Sequence, residues 1–366
     1  MKKLILFVLV ALLCLSCGKK DENVIKIGAV LPLSGSGAEL AQQHLKGLQF
    51  AVDSLNTLHE NNGLQYELKI YDDENQQKNT VALVNKLINV EKVDVIFTTI
   101  SSSALAVAPI IEQAKIPHFA NCGHPKITEM YNNVFRNFPS TKLEVITMSK
   151  FISQKLHLKN IGLLYLDDAY GRGGYETVES EFPQHGIKLL IAESYGKDAT
   201  DFRATITKVI SKKPEAIYVY GYGIATANLV NKIKEFGYKG ILLGTYNFAQ
   251  PPLTTVAQGG INDSYYTIPK FQESGNIENK MFWSSFNKKY GIAPPWNGVV
   301  EFDAINIINK AVKISSKKGM TLIEALKEIG NYNGIAGQYI FTKSKDWFLP
   351  MIIAKVKDGK IDYINF

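Results

Sequence analysis

The 366-residue sequence predicts an α/β protein of two doubly wound parallel-sheet lobes joined by a multi-strand hinge. Its length exceeds one ordinary core and suits two domains of about 150 to 180 residues each. Short β-branched apolar runs alternate with longer amphipathic segments, the pattern of βαβ units. That alternation restarts near Phe138-Pro139-Ser140-Thr141, and the chain later carries helices with too few strands of their own. A composition of 46% hydrophobic and 20% charged residues excludes a disordered chain and a polytopic membrane protein.

At the N-terminus, Lys2 and Lys3 precede an apolar run over residues 4–15, too short to span a bilayer and shaped like a signal-peptide core. Ser16-Cys17 follows, and residues 18–23 (GKKDEN) read as a polar tether. Residues 1–16 are therefore expected to be a signal peptide and 17–23 a tether. Cys14 would leave with the signal and Cys17 belongs to the tether, so Cys122 is the one cysteine expected in the folded body, and no internal disulfide can form there. The formal charge of +7 is spread over scattered lysines, which argues against a nucleic-acid platform.

The first lobe begins with a strand over 25–31, a helix over 38–58 and an alternating strand over 64–71. A helix over 78–91 and a buried strand over 93–98 follow, then Ser101-Ser102-Ser103 opening a helix over 104–114, and a strand over 116–120. The second series comprises a helix over 142–156, strand 160–165, helix 170–184, strand 187–193, helix 201–211, strand 216–220, helix 224–236 and strand 240–243. After Tyr265-Tyr266-Thr267 come helices over 277–290, 302–316 and 321–329, then strands over 339–342 and 351–357. These late helices are expected to return to the first sheet. The lobes are accordingly expected at 24–139 with 269–346, and at 140–268 with 347–366.

In a parallel α/β sheet, ligands bind beyond the C-terminal ends of the strands. After the strand VDVIFTT, Ser101 and Ser102 place hydroxyls at a helix start suited to a carboxylate, although one serine could simply cap the helix. The next strand ends in Asn121-Cys122-Gly123-His124, a loop able to complete an anion pocket. Cys122 with His124 raises a thiol–base reading, and the two with His118 a metal reading; the first lacks a third group to orient it and the second takes one of its three ligands from a strand, so neither catalysis nor a metal nor a cofactor is expected. In the second lobe, Asp168 is the natural cap of the next helix and Tyr170 can project into a cleft between lobes. The glycines of 171–174 lack the spacing of a phosphate loop. Tyr222, Tyr246 and Asn247 stand at later strand ends, as a pocket wall or as ordinary core. No nucleophile elbow, no His-Glu-x-x-His and no close pair of cleft carboxylates argues for bond-making chemistry.

Taken in order, the opening IKIGAVLPLSGSGAELAQQHLKGLQFAVDSLN, the turn TTISSSALAVAP, the loop NCGHPKIT before VFRNFPS, DDAYGRGG, DFRATITKV and FDAINIINKA resemble the type I periplasmic binding proteins of the leucine/isoleucine/valine-binding family. Ser16-Cys17 resembles a lipobox, with Cys14 where that motif usually has Leu, and implies lipidation of Cys17 at a bacterial membrane, in the periplasm or at the cell surface. The resemblance implies a two-lobed Venus-flytrap fold and a monomeric, non-enzymatic receptor for a small ligand, serving an ABC permease. It implies that Ser101 and the loop Asn121, Cys122 and Gly123 bind an α-carboxylate, with Gly123 standing where relatives carry a hydroxyl. Tyr170 and Tyr222 match the tyrosines of the second lobe. Tyr246 and Asn247 stand where amino-acid binders usually carry an acid for the ammonium, and Leu40 near their first-loop aromatic residue. A branched-chain amino acid is the leading ligand, with another small carboxylate or amide as the other class; a sensor acting through a partner protein is the alternative role.

Overall fold

The computed structural model describes residues 23–364 apart from 36, 58–62, 258, 271–276 and 358–359. The expected signal peptide and Cys17 lie outside the described residues. The first lobe contains β1 (Val24–Leu31), α1 (Ala38–Thr57), β2 (Gln65–Asp72), α2 (Gln77–Lys86), β3 (Val95–Thr98), α3 (Ser101–Gln113), β4 (His118–Ala120), α4 (Ile127–Met130) and β5 (Val134–Phe135). Its strands pair in parallel in the order β2-β1-β3-β4-β5. The order reverses between β1 and β3, which opens a crevice at their C-terminal ends.

The second sheet is built from α5 (Thr141–Phe151), β6 (Asn160–Leu166), α6 (Ala169–Glu181), β7 (Lys188–Tyr195), α7 (Arg203–Ser211), β8 (Ala216–Tyr220), α8 (Gly223–Glu235), β9 (Ile241–Gly244), α9 (Leu253–Val256) and β10 (Tyr265–Pro269). The helices α10 (Ile277–Tyr290), α11 (Trp296–Lys318) and α12 (Leu322–Glu328) follow. Then come β11 (Tyr332–Asn333), β12 (Gln338–Phe341), β13 (Trp347–Phe348), β14 (Met351–Lys357) and β15 (Lys360–Ile364). The sheet runs β15-β14-β10-β9-β8-β6-β7, with β14 and β15 antiparallel to their neighbours. It is therefore mixed, since the chain end returns by a short path instead of a helical crossover.

Each sheet is covered on both faces. On one face of the first sheet, Ile27, Ala29 and Leu31 share a core with Leu48 and Leu55 of α1, Phe286 of α10, and Val299 and Ile308 of α11. Val84 and Leu87 pack with Val107 and Ile111 of α3 on its other face. The late helices thus complete the first core. Trp347 lies parallel to Phe119, 6.3 Å between ring centres, which keeps β13 with the first lobe, beyond the expected boundary at 346/347. The chain passes between the sheets after β5, after β10 and after β13.

The approach of α1 to α11 explains why α11 starts at Trp296 and not at the expected 302. A Cβ on Gly47 would fall 2.1 Å from the Gly298 carbonyl oxygen, so two glycines are needed for the helix backbones to touch. That contact brings His44, one turn before Gly47, against Glu301, one turn after Gly298. No helix among the described residues is long and apolar enough to cross a membrane.

Candidate ligand site

The C-terminal ends of the two sheets face one another across a cavity of about 40 Å³. A few waters fill such a space. The lobes are closed over it: the Phe138 ring meets Tyr246 edge-on, 5.4 Å between centres. A Cβ on Gly123 would lie 2.5 Å from Cε2 of Tyr170, so the tyrosine ring occupies the place a hydroxyl side chain would need. The departure at position 123 thereby has a steric cause.

On the first lobe, Ser101 is the first residue of α3, and Ile100 at the cap position supplies no side-chain cap. None of the serines caps the helix, and the three divide their work. Ser103 Oγ donates to Asp73 Oδ2 at 3.1 Å, anchoring the helix start. The Ser102 side of the turn borders a neighbouring wider cleft, outside the cavity. Ser101 lines the cavity, is 2% exposed, and its hydroxyl has no hydrogen-bond partner. Thr99 Oγ1, also on the cavity wall, is likewise unpartnered. Two free hydroxyls therefore flank the positive end of a 13-residue helix.

Cys122 and Gly123 line the same space. Asn121 does not; its Nδ2 donates to Glu301 Oε2 at 3.0 Å and its Oδ1 accepts from the Asn137 N–H at 3.4 Å, so its side chain is consumed behind the wall. Arg136, buried, donates to the Cys122 and His124 carbonyls at 3.1 and 2.6 Å and to Asp346 at 2.7 Å, fixing the loop. Burial pushes the Cys122 thiol up, opposed by the Arg136 charge. His124 is pushed down to about 4 by burial and by Arg136, and its Nδ1 accepts from the Lys126 N–H. His118, pushed down to about 3 by burial, turns Nε2 to Thr98. Both imidazoles are thus neutral and occupied elsewhere, and no cluster of three metal-ligating side chains occurs among the described residues.

Sequence reasoning missed His44 and Glu301. His44 lines the cavity, and its Nδ1 lies 2.6 Å from Glu301 Oε1, both groups buried. Asn297 beside them has an unpartnered, buried Oδ1.

On the second lobe, Tyr170, Tyr222, Tyr246 and Asn247 form the opposite wall. Asp168 Oδ1 caps α6 by accepting from the Gly171 N–H at 2.8 Å, and its Oδ2 accepts from the Tyr222 hydroxyl at 2.7 Å. Behind Tyr170 stands Glu144, another residue missed. Its carboxyl accepts from the hydroxyls of Tyr170 (3.1 Å), Tyr220 (2.7 Å) and Thr267 (3.3 Å), and from the Tyr246 N–H (3.1 Å). Burial pushes Glu144 up to about 7 against these donors. Asn247 Nδ2 donates to the Tyr170 oxygen at 3.2 Å and to Thr245 at 3.1 Å, leaving Oδ1 buried and unpartnered. A signal for the missed acids was present: Glu144 and Glu301 each sit in phase with the apolar stripe of their helix, where an acid needs a partner. No Asp, Glu, Lys or Arg is among the described residues lining the cavity.

Comparison with known proteins agrees with this architecture. The Periplasmic binding protein family matches residues 24–360. A leucine-, isoleucine-, valine-, threonine- and alanine-binding protein of Pseudomonas aeruginosa is 25% identical over 293 residues, 80% of this chain and 78% of its own. Leu/Ile/Val-binding protein homolog 7 of Brucella suis is 26% identical over 290 residues, 74% of this chain and 72% of its own. Among solved structures, the leucine binding protein LivK from Thermotoga maritima superposes with a TM-score of 0.84 at 22% identity, covering 93% of this chain and 98% of that one. The branched-chain amino acid transporter substrate binding protein LivJ from Streptococcus pneumoniae, in complex with isoleucine, gives 0.82 at 21% identity, over 93% and 99%. By fold and by family, this chain belongs to the type I periplasmic binding proteins of the leucine/isoleucine/valine-binding family, extracytoplasmic solute-binding components of ABC transporters.

Proposed function

We propose that this chain is the receptor of an ABC importer, closing its two lobes over a small carboxylate by bending where the chain passes between the sheets. The observation that carries this reading is the Ser101 hydroxyl, buried and unpartnered at the start of α3, inside the space between the two sheet ends. A buried hydroxyl without a partner costs roughly 1–3 kcal/mol, and an anion at that helix start removes the cost. The relatives named for leucine, isoleucine and valine make branched-chain amino acids the first candidates.

The first lobe, with its hydroxyls, receives the carboxylate. Tyr170, Tyr222, Tyr246 and Asn247 reach the ligand when the lobes are closed. Ligand then shifts the open–closed equilibrium by its differential affinity for the two forms, and the closed form engages the permease. Acylation of Cys17 holds the receptor at the membrane, and the tether leaves the lobes free to move. Cys17→Ala is expected to release the protein from the membrane fraction.

A thermal-shift screen of amino acids, small carboxylates and amides, followed by calorimetry, tests the ligand class. A ligand at 100 times its Kd adds about 2.7 kcal/mol of stability. Absence of any shift across the set, or full affinity in Ser101→Ala, refutes the site.

A further inference from the structure

We propose that the first lobe builds a polar subsite from His44 and Asn297, which selects a small carboxylate carrying a hydroxyl or a carboxamide at its other end over one that ends in alkyl groups. This inference rests on the cavity being the ligand site. It sets this chain apart from a receptor for branched alkyl chains.

The helices α1 and α11 cover one face of the first sheet and α3 the other, so His44 and Asn297 reach the cavity from the side opposite Ser101. A ligand whose carboxylate sits at Ser101 therefore turns a different part of itself toward them. The contact of Gly47 with Gly298 brings the two residues together, since His44 lies one turn before the first glycine and Asn297 directly before the second. The imidazole is held on two sides. Its Nδ1 lies 2.6 Å from Glu301 Oε1, and the Phe138 ring stands 5.8 Å away, tilted by 38°. Glu301 is itself fixed by Asn121, whose Nδ2 donates to its other oxygen at 3.0 Å. With Nδ1 committed, Nε2 is the nitrogen left over, and no described residue bonds it. It is a donor or an acceptor according to the tautomer.

Asn297 is 2% exposed. Its Nδ2 donates to Gln43 Oε1 at 3.1 Å, and its Oδ1 is buried with no partner. Exchanging both amides would reverse that bond and leave an N–H where Oδ1 stands, so a polar atom is unsatisfied in either orientation. An alkyl chain packed against such an atom keeps it unpaired, which is costly. A hydroxyl or a carboxamide both donates and accepts, so it matches Nε2 and the Asn297 amide in either of their states. A site of this kind discriminates more sharply than an apolar pocket, because the wrong ligand leaves buried groups without partners.

Calorimetry on the whole receptor with isosteric pairs tests the inference, each pair keeping the volume and changing the end group: L-threonine against L-valine, L-asparagine against L-leucine, 3-hydroxybutanoate against 3-methylbutanoate, and succinamate against 4-methylpentanoate. In at least one pair the polar member is expected to bind about tenfold or more tightly than its alkyl partner. His44→Asn keeps a donor for Glu301 and removes Nε2, while Asn297→Leu leaves the pair of His44 and Glu301 intact. Each is expected to lower that ratio about fivefold or more, with the alkyl partner binding as well as before or better. A preference for the polar member below about tenfold in every pair, or a ratio unchanged in both variants, overturns the polar subsite and leaves the carboxylate site standing. Failure of every probe to bind overturns the small-carboxylate reading and this inference with it.

Discussion

Replacing Gly123 by Ala tests whether closure depends on one missing side chain. The added methyl would stand 2.5 Å from Cε2 and 2.6 Å from Cδ2 of Tyr170. Carbon atoms pack at about 3.5–4.0 Å, so the ring must retreat by about 1 Å. A retreat of that size strains the 3.1 Å hydrogen bond from Tyr170 to Glu144 and the 3.2 Å contact from Asn247. Overpacking of this kind costs about 1–3 kcal/mol. Gly123 and Tyr170 belong to different lobes, so an open form is spared and the cost falls on the closed one. Affinity for a ligand that requires closure should therefore drop by roughly 5- to 150-fold, while the ligand-free protein keeps its melting temperature. Calorimetry gives the affinity, and small-angle scattering follows the compaction that ligand causes in the parent and should not cause, or only at higher ligand, in the variant. Unchanged affinity with unchanged compaction would show that Tyr170 does not meet Gly123 in the bound form, and the reasoning would fail.

Ser101→Ala removes a hydroxyl that has no partner in the protein, so stability should hold while affinity for a carboxylate ligand falls by about 1.5–3 kcal/mol, read by calorimetry. His44→Ala should be destabilising, by about 3–5 kcal/mol in urea titration, because Glu301 stays buried with Asn121 as its remaining partner. Glu144 and Asp303, a buried residue of α11 that accepts from the Ile335 and Ala336 N–H groups and the Tyr339 hydroxyl, are both pushed up to about 7 by burial, so the folded chain holds protons that the unfolded chain releases near pH 4. The stability from each is therefore full below about pH 4 and is lost as pH rises through about 7. Glu144→Gln should flatten the profile by about 3 kcal/mol between pH 4.5 and 8, from the displacement of 4.5 to about 7. An identical pH profile in parent and variant would contradict this assignment.

The residues that sequence reasoning reached share one property: they stand at strand ends. Ser101, Cys122, Gly123, Tyr170, Tyr222, Tyr246 and Asn247 follow β3, β4, β6, β8 and β9, and a parallel sheet delivers those positions to one edge whatever the helices do. Asn121 stands at such an end too, but its amide is claimed by Glu301, 180 positions away, and no local pattern announces that partner. His44, Glu144 and Glu301 lie inside helices, where a single polar residue in an apolar stripe is easily taken for a surface position. The start of α11 was obscured because Asn297-Gly298 looks like a helix breaker. Gly298 is there for the contact with Gly47, a requirement set by a helix residue 251 positions earlier.

That contact also orders the assembly of the chain in time. The strands β6 to β10 and their helices form one uninterrupted stretch, so the second sheet can begin to close as soon as its own residues exist. The first sheet cannot: the apolar face carrying Ile27, Ala29 and Leu31 waits for Phe286, Val299 and Ile308. Roughly 160 residues separate the end of its own strands from α11, about 8–30 s of synthesis at ~5–20 residues per second. The half of the protein made first therefore waits longest between its own strands and the helices that cover them, and part of its apolar face stays open during that interval.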